Sequence, residues 1–279
     1  MKHHPTNEGS RPTGTQAVAR AFSILGAFGD ANPEWGLADL SRSLGLTRTT
    51  TLRLLSALER EGMVSRYGVA GAYRLGPRAI ELGALAQRSN TLHDAAHGEL
   101  ELLAHETGET TSLEVLVGSD VLILDEVQGR HKLSPAPVIG ARWPAHAAST
   151  GKVLLAARRR GEGLIHEEAP AAAPLIRLTP STITSRARLN AELDRVSEQG
   201  FAIAVEELED GYVAVGAPVR NHQGHIVAAI SVGGPLPRFG PDRLNELVGP
   251  VRQCAERISR RLGAGGAPRL VSRKNLARA

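Results

Sequence analysis

Positions 47 to 53 read Thr47-Arg48-Thr49-Thr50-Thr51-Leu52-Arg53. Two guanidinium groups, a run of hydroxyls and one leucine in this spacing suit the surface of duplex nucleic acid. A guanidinium forks onto guanine O6 and N7 or onto a phosphate. A hydroxyl bonds phosphate oxygens or bases, and an apolar side chain packs on a thymine methyl. Wound as a helix, the segment puts Thr51, Leu54, Leu55 and Leu58 on an inner face. Arg48, Thr49, Thr50, Leu52 and Arg53 then point outward near its start.

The neighbouring residues predict how this helix is held. Leu37-Ala-Asp-Leu40-Ser-Arg-Ser-Leu44 has the apolar spacing of a short helix, Gly45-Leu46 a turn, and Thr47 a hydroxyl that caps the second helix. Gly62 ends that helix. Met63–Tyr67 and Ala72–Leu75 then form a hairpin around Gly68 and Gly71, a wing carrying Arg66, Tyr67 and Arg74. Upstream, Val18, Ala21, Phe22, Leu25 and Phe28 make a third amphipathic helix expected to close the core. Residues 15–76 are thus predicted to be a winged helix-turn-helix, whose second helix enters the major groove N-terminal end first. Arg66 and Arg74 would grip the backbone or minor groove. In a dimer, two such helices would read a pseudo-palindromic double-stranded DNA operator. The rival reading is a small-molecule-binding or enzymatic domain whose winged helix serves only for dimerisation. The outward Arg48, Arg53, Arg66 and Arg74 argue against it, since a dimerisation module has no use for a cationic face.

Charge is distributed in keeping with this. The chain has 279 residues, enough for two domains, and a net charge of +4. Residues 1–77 hold 9 Lys/Arg against 6 Asp/Glu, residues 78–256 hold 17 against 23, and residues 257–279 hold 7 against none. A basic head on an acidic body fits a nucleic-acid-binding unit joined to one with another task. The single Cys254 excludes an intrachain disulfide framework and a multi-cysteine zinc site. No apolar run has the length of a membrane span and the first residues lack a signal-peptide pattern, which predicts a cytoplasmic, nucleoid-associated protein with no membrane partner.

Residues 77–90 are predicted to be a linker helix, and 91–106 a second helix. From Thr110 the pattern turns to strands: 111–117, 121–127, 201–205, 212–219 and 225–232. Helices are expected from Gly151, over 184–199 and over 241–262. Residues 91–263 therefore read as an α+β domain with an antiparallel sheet. Residues 1–14 and the basic tail 264–279 are expected to be disordered.

Several motifs could suggest catalysis or metal binding. Ser149-Thr-Gly-Lys152 matches S-x-x-K, but neither S-D-N nor K-T-G occurs. It is no P-loop, since His146 and Val153 stand where Gly and Ser/Thr are needed. His93 and His97, one turn apart, are a candidate metal pair, with a solvated helix face the simpler reading. Asp125-Glu126, Glu206-Glu207 and Glu209-Asp210 read as surface charge. No catalytic residue, cofactor or metal is predicted.

Across Thr15 to about Leu262 the chain resembles the isocitrate lyase regulator (IclR) family of bacterial transcription factors. The resemblance is carried by the winged helix over Leu37 to Leu75 and by Trp143-Pro-Ala-His-Ala-Ala-Ser-Thr-Gly-Lys-Val-Leu-Leu-Ala156. Two further blocks, Gly200 to Glu207 and Ala217 to Pro235, complete it. The resemblance implies a GAF-like effector-binding domain, no catalysis, and homodimers or homotetramers joined through the winged domains and linker helices. It implies a small carboxylic-acid effector bound by the backbone N–H groups of Ser149 and Thr150, the Ser231 hydroxyl and the backbone near Gly233. Trp143, Val205 and Val213 would be apolar walls. Independently, a helix N-terminus favours a carboxylate through its unpaired amides and partial positive charge. The family often has an acidic residue where this chain has Ala204-Val205, and a second Ser where it has Gly233. Both departures point to an effector less polar than the smallest keto acids, aromatic or larger.

Overall fold

A computed structural model describes residues 13–29, 32–68, 71–88, 91–130, 139–163 and 174–265. Of the disorder expected over 1–14 and 264–279, residues 1–12 and 266–279 lie outside the described residues, as does the wing tip at 69–70, whereas Thr13 and Gly14 begin a helix. The chain divides into two compact units, Met1–Ser89 and Asn90–Ala279.

In the first unit, α1 (Thr13–Leu25), α2 (Leu37–Ser43) and α3 (Arg48–Arg60) precede β1 (Val64–Tyr67), β2 (Ala72–Leu75) and α4 (Pro77–Arg88). Ile24, Leu40, Leu55, Val64 and Tyr73 form its buried core, with Leu25, Phe28, Trp35 and Leu58 packed around them. β1 and β2 pair antiparallel, Val64 opposite Leu75 and Tyr67 opposite Ala72. Trp35 ties the wing to the helices. It exchanges backbone hydrogen bonds with Tyr73 at 2.9 and 2.8 Å, and its indole N–H donates to the Ala27 carbonyl at 2.8 Å. Helix α1 departs from expectation. Ile24, Leu25 and Phe28 pack on the core, but Val18 and Phe22 are exposed, Phe22 by 68%. Ile80, Leu82 and Leu85 of α4 are exposed as well.

In the second unit, α5 (Thr91–Thr107) leads into β3 (Thr110–Val117), β4 (Asp120–Val127) and β5 (Arg142–Pro144). α6 (Ser149–Arg159) and α7 (Arg186–Gln199) follow, then β6 (Ala202–Val205), β7 (Tyr212–Arg220), β8 (Ile226–Pro235) and α8 (Pro241–Arg261). The six strands form one antiparallel sheet in the order β5-β4-β3-β8-β7-β6. Strand alternation divides its two faces. Val213, Val215, Ala217 and Val219 of β7, with Ala228, Ile230 and Val232 of β8, pack against α5 and α8. α6 and α7 pack with Ala202 and Ala229 in a second core. Glu99 of α5 fastens α8 through Arg257 (2.6 Å) and Arg261 (3.3 Å), and the Arg257 hydrogen bond holds the Glu99 carboxyl below the usual range. Cys254 is buried between these helices, and burial pushes its thiol up to about 12.

Candidate functional site

Two sites stand out, one in each unit. In the first, Thr47 is the N-cap of α3, its hydroxyl oxygen accepting from the Thr50 N–H at 3.2 Å. Thr51 and Leu55 are buried, which fixes the rotation of the helix and leaves Arg48, Thr49, Leu52 and Arg53 exposed. Thr50 is only half-exposed, because its hydroxyl also accepts from the Thr47 hydroxyl at 2.9 Å. Neither Arg48 nor Arg53 forms an ion pair among the described residues. On the wing, Arg74 lies over the Tyr67 ring at 4.2 Å. Arg66 lies 5.4 Å from the Tyr73 ring centre and pairs with Glu59 of α3 at 3.3 Å. The wing cations are thus pre-positioned by stacking, and those of α3 are free to meet an anion.

The second site is a small cavity between the sheet and the start of α6. Its floor is Glu114 of β3, Ser231 of β8 and Tyr212 of β7. Ser149 and Thr150 bring the helix end, and Trp143 and Ala204 line the sides. Ala148 is the N-cap of α6 and supplies no side-chain acceptor, so the first-turn amides retain their partial positive charge. β7 approaches this turn closely: a Cβ on Gly216 would lie 2.9 Å from the Thr150 nitrogen. Glycine is what allows strand and helix end to meet.

A chain of hydrogen bonds crosses the floor. Thr150 donates its hydroxyl to Glu114, and so does Ser112, at 2.7 Å. Ser112 and Ser231 share a further bond at 2.8 Å. Burial holds the Glu114 carboxyl above the usual range, against the lowering effect of the Thr150 and Ser112 hydroxyls. Burial also raises the Tyr212 phenol, helped by nearby Glu114, so the hydroxyl stays a neutral donor. Behind the cavity, Lys152 is buried and donates to Glu192 (3.2 Å), the Ile203 carbonyl (3.1 Å) and Glu207. Burial raises Glu207 and the Lys152 charge opposes it. Lys152 is therefore spent on carboxylates, which removes the S-x-x-K reading.

Of the residues expected at this site, the cavity brings together Trp143, Ser149, Thr150 and Ser231. Val213 is not there. It is wholly buried in the core against α5 and α8. Val205 is exposed and borders a separate surface depression beside Lys152 and Arg188. Both are one residue out of phase. On a strand, Ala204 and Ala214 take the cavity face and their neighbours take the other. Gly233 contributes no wall, because the Tyr212 ring fills the space a side chain there would take. Glu114 and Tyr212 were not anticipated. A lone carboxylate inside the apolar run Leu113-Glu-Val-Leu-Val117 was the available signal. Glu207 and Asp125, expected on the surface, are buried.

A winged helix-turn-helix joined to an α+β domain with a small polar-floored cavity defines the class of one-chain, ligand-responsive DNA-binding regulators. The chain belongs to the IclR family of bacterial transcriptional regulators. Residues 17–68 match the IclR helix-turn-helix domain, and residues 84–260 match the bacterial transcriptional regulator IclR C-terminal domain. Among its relatives, the HTH-type transcriptional regulator XynR of Escherichia coli (strain K12) is 32% identical over 89% of this chain and 97% of its own. The HTH-type transcriptional regulator Rv1719 of Mycobacterium tuberculosis is 36% identical over 82% and 86%. Among solved structures, an IclR homolog from Microbacterium hydrocarbonoxydans complexed with 4-hydroxybenzoate is 26% identical. It covers 88% of this chain and 98% of its own, with a TM-score of 0.72. The protein is a transcriptional regulator and not an enzyme. Among the described residues, no helix is long and apolar enough to cross a membrane.

Proposed function

We propose that this regulator binds a pseudo-palindromic operator as a homodimer or homotetramer, at the nucleoid in the cytoplasm, and is gated by a small aromatic carboxylic acid. One observation carries the effector class: the start of α6, without a side-chain cap, opens into a cavity walled by Trp143, Ala204 and Ala214. The carboxylate is received by the amides of Ser149 and Thr150, the ring lies against Trp143, and Ser231 and Tyr212 offer hydroxyls to a polar substituent. The 4-hydroxybenzoate held by the Microbacterium relative is of this class.

In the operator complex, Arg48, Thr49, Leu52 and Arg53 meet bases and phosphates, Thr50 adds a phosphate contact, and Arg66 and Arg74 hold the flanking backbone. The exposed apolar residues of α1 and α4 join two copies. Effector binding shifts DNA affinity by a coupling of about 1–3 kcal/mol.

The test is quenching of Trp143 fluorescence by a panel of benzoates, keto acids and aliphatic acids, with Trp143→Phe as control; Trp35 is the other tryptophan. Saturable quenching by a benzoate, absent in the variant, is expected. Tight binding of glyoxylate or pyruvate, with none of the aromatic acids, would overturn the effector class.

A further inference from the structure

On the sheet face covered by α5, three side chains converge far from any role assigned above. His93 and His97 lie one turn apart on α5, and both direct Nδ1 at Oδ2 of Asp125 on β4, at 3.0 and 2.8 Å. One ligand-type atom from each lies within 4.8 Å of the others, and the two ring centres are 5.1 Å apart. Simple alternation along β4 would not give this. Leu113 pairs with Asp125 but Glu114 pairs with Ile123, so Leu124 is an extra residue. This bulge turns the Asp125 carboxylate toward the helix that Leu124 also faces.

Hydrogen bonding does not account for the arrangement. A single carboxylate oxygen receives two imidazole nitrogens. His97 Nδ1 meets it with hydrogen-bond geometry, whereas the buried His93 Nδ1 has no hydrogen-bond partner among the described residues. Buried polar atoms left so are uncommon. Asp125 is 2% exposed, and its other oxygen already accepts the Glu126 N–H at 2.9 Å.

We propose that His93, His97 and Asp125 bind a divalent transition-metal cation of the zinc class. Two imidazoles and a carboxylate suit zinc, cobalt or nickel better than calcium or magnesium, which prefer oxygen ligands. The His spacing is that by which a helix offers two ligands to one metal. Bond lengths of about 2.1 Å to a tetrahedral centre separate ligand atoms by about 3.4 Å. The O···N separations of 3.0 and 2.8 Å are shorter than that by about half an ångström, a spacing that a bound ion would open slightly. Glu101 lies 3.6 Å from His97 Nε2, placed to orient the ring from its far side. His97 is 45% exposed, so water has access to the fourth position. The bound cation clamps the first turns of α5 to β4 and stabilises the second unit.

The test uses the full chain and its His93→Gln/His97→Gln variant. Zinc is titrated in competition with a chromophoric chelator, and cobalt absorption reports coordination. His3 and His4 are present in both proteins, so adventitious binding there cancels. The expected result is one zinc per chain, a tetrahedral cobalt spectrum and a zinc-dependent rise in melting temperature. Loss of both histidines weakens zinc binding by about tenfold or more and abolishes the melting shift. His97→Gln alone, at a half-exposed position, reads the same site should the double variant fail to fold. Equal zinc affinity in wild type and variant, or no zinc bound at about 100 µM, would overturn the proposal.

Discussion

The Tyr212 ring occupies the space that a side chain on Gly233 would need: a Cβ there would lie 2.8 Å from the phenol Cζ and closer still to its hydroxyl. Gly233 sits opposite Ala214, so Tyr212 reaches it across the diagonal of the β7–β8 ladder. A serine at 233 and the present tyrosine rotamer exclude one another. Gly233→Ser should therefore displace Tyr212, cost about 1–3 kcal/mol by overpacking, and weaken effector binding. Urea unfolding and Trp143 quenching read the two effects. An unperturbed Tyr212 and unchanged affinity would show that the cavity tolerates both.

Glu114 gives the cavity a pH dependence. Its folded-state pKa lies above the unfolded value because it is buried. Ionisation therefore costs stability as pH rises through the unfolded pKa, a cost complete above the folded pKa and absent below both. Thermal melts of Glu114→Gln should lose less stability than wild type as pH rises from 5 to 8. Carboxylate binding should take up protons in wild type but not in the variant, measured by calorimetry in buffers of different ionisation enthalpy.

Lys152 is the buried cation most exposed to disruption. Lys152→Met leaves Glu192 and Glu207 buried without it and should cost about 3–5 kcal/mol at pH 8. The loss should shrink toward pH 5, because burial already raises the Glu207 pKa. Adding Glu192→Gln and Glu207→Gln should recover most of it. Denaturation midpoints of the three proteins decide the point.

The exposed apolar residues of α1 and α4 predict the assembly. Phe22→Glu or Ile80→Glu should shift the protein toward monomer in sedimentation velocity without altering its far-UV dichroism. Both side chains are exposed, by 68% and 75%. An unchanged sedimentation coefficient would place the interface elsewhere.

The first unit was largely legible in the sequence, because each helix shows an apolar stripe of period 3.6 and Thr47 carries its own cap. The same logic misplaced Val18 and Phe22, since periodicity marks an apolar face but not whether this chain or a second copy covers it. In the second unit the strands were legible and the cavity face was not. Val205 and Val213 were expected at the wall from the family resemblance, yet on this sheet Val213 serves the main core, Val205 lies on the surface, and the small Ala204 and Ala214 take the cavity face. The bulge at Leu124 has no sequence signature, so the meeting of Asp125 with two histidines 28 and 32 positions earlier could not be foreseen.

The most direct test of a ligand-gated regulator is the anisotropy of labelled DNA from the chain's own upstream region, titrated with protein at fixed salt with and without the acid that quenches Trp143. Specific, salt-sensitive binding is predicted, shifted about 5- to 150-fold by the acid and weakened by about 1–3 kcal/mol in Arg53→Ala. An acid that saturates the Trp143 cavity while leaving DNA affinity unchanged would contradict the account.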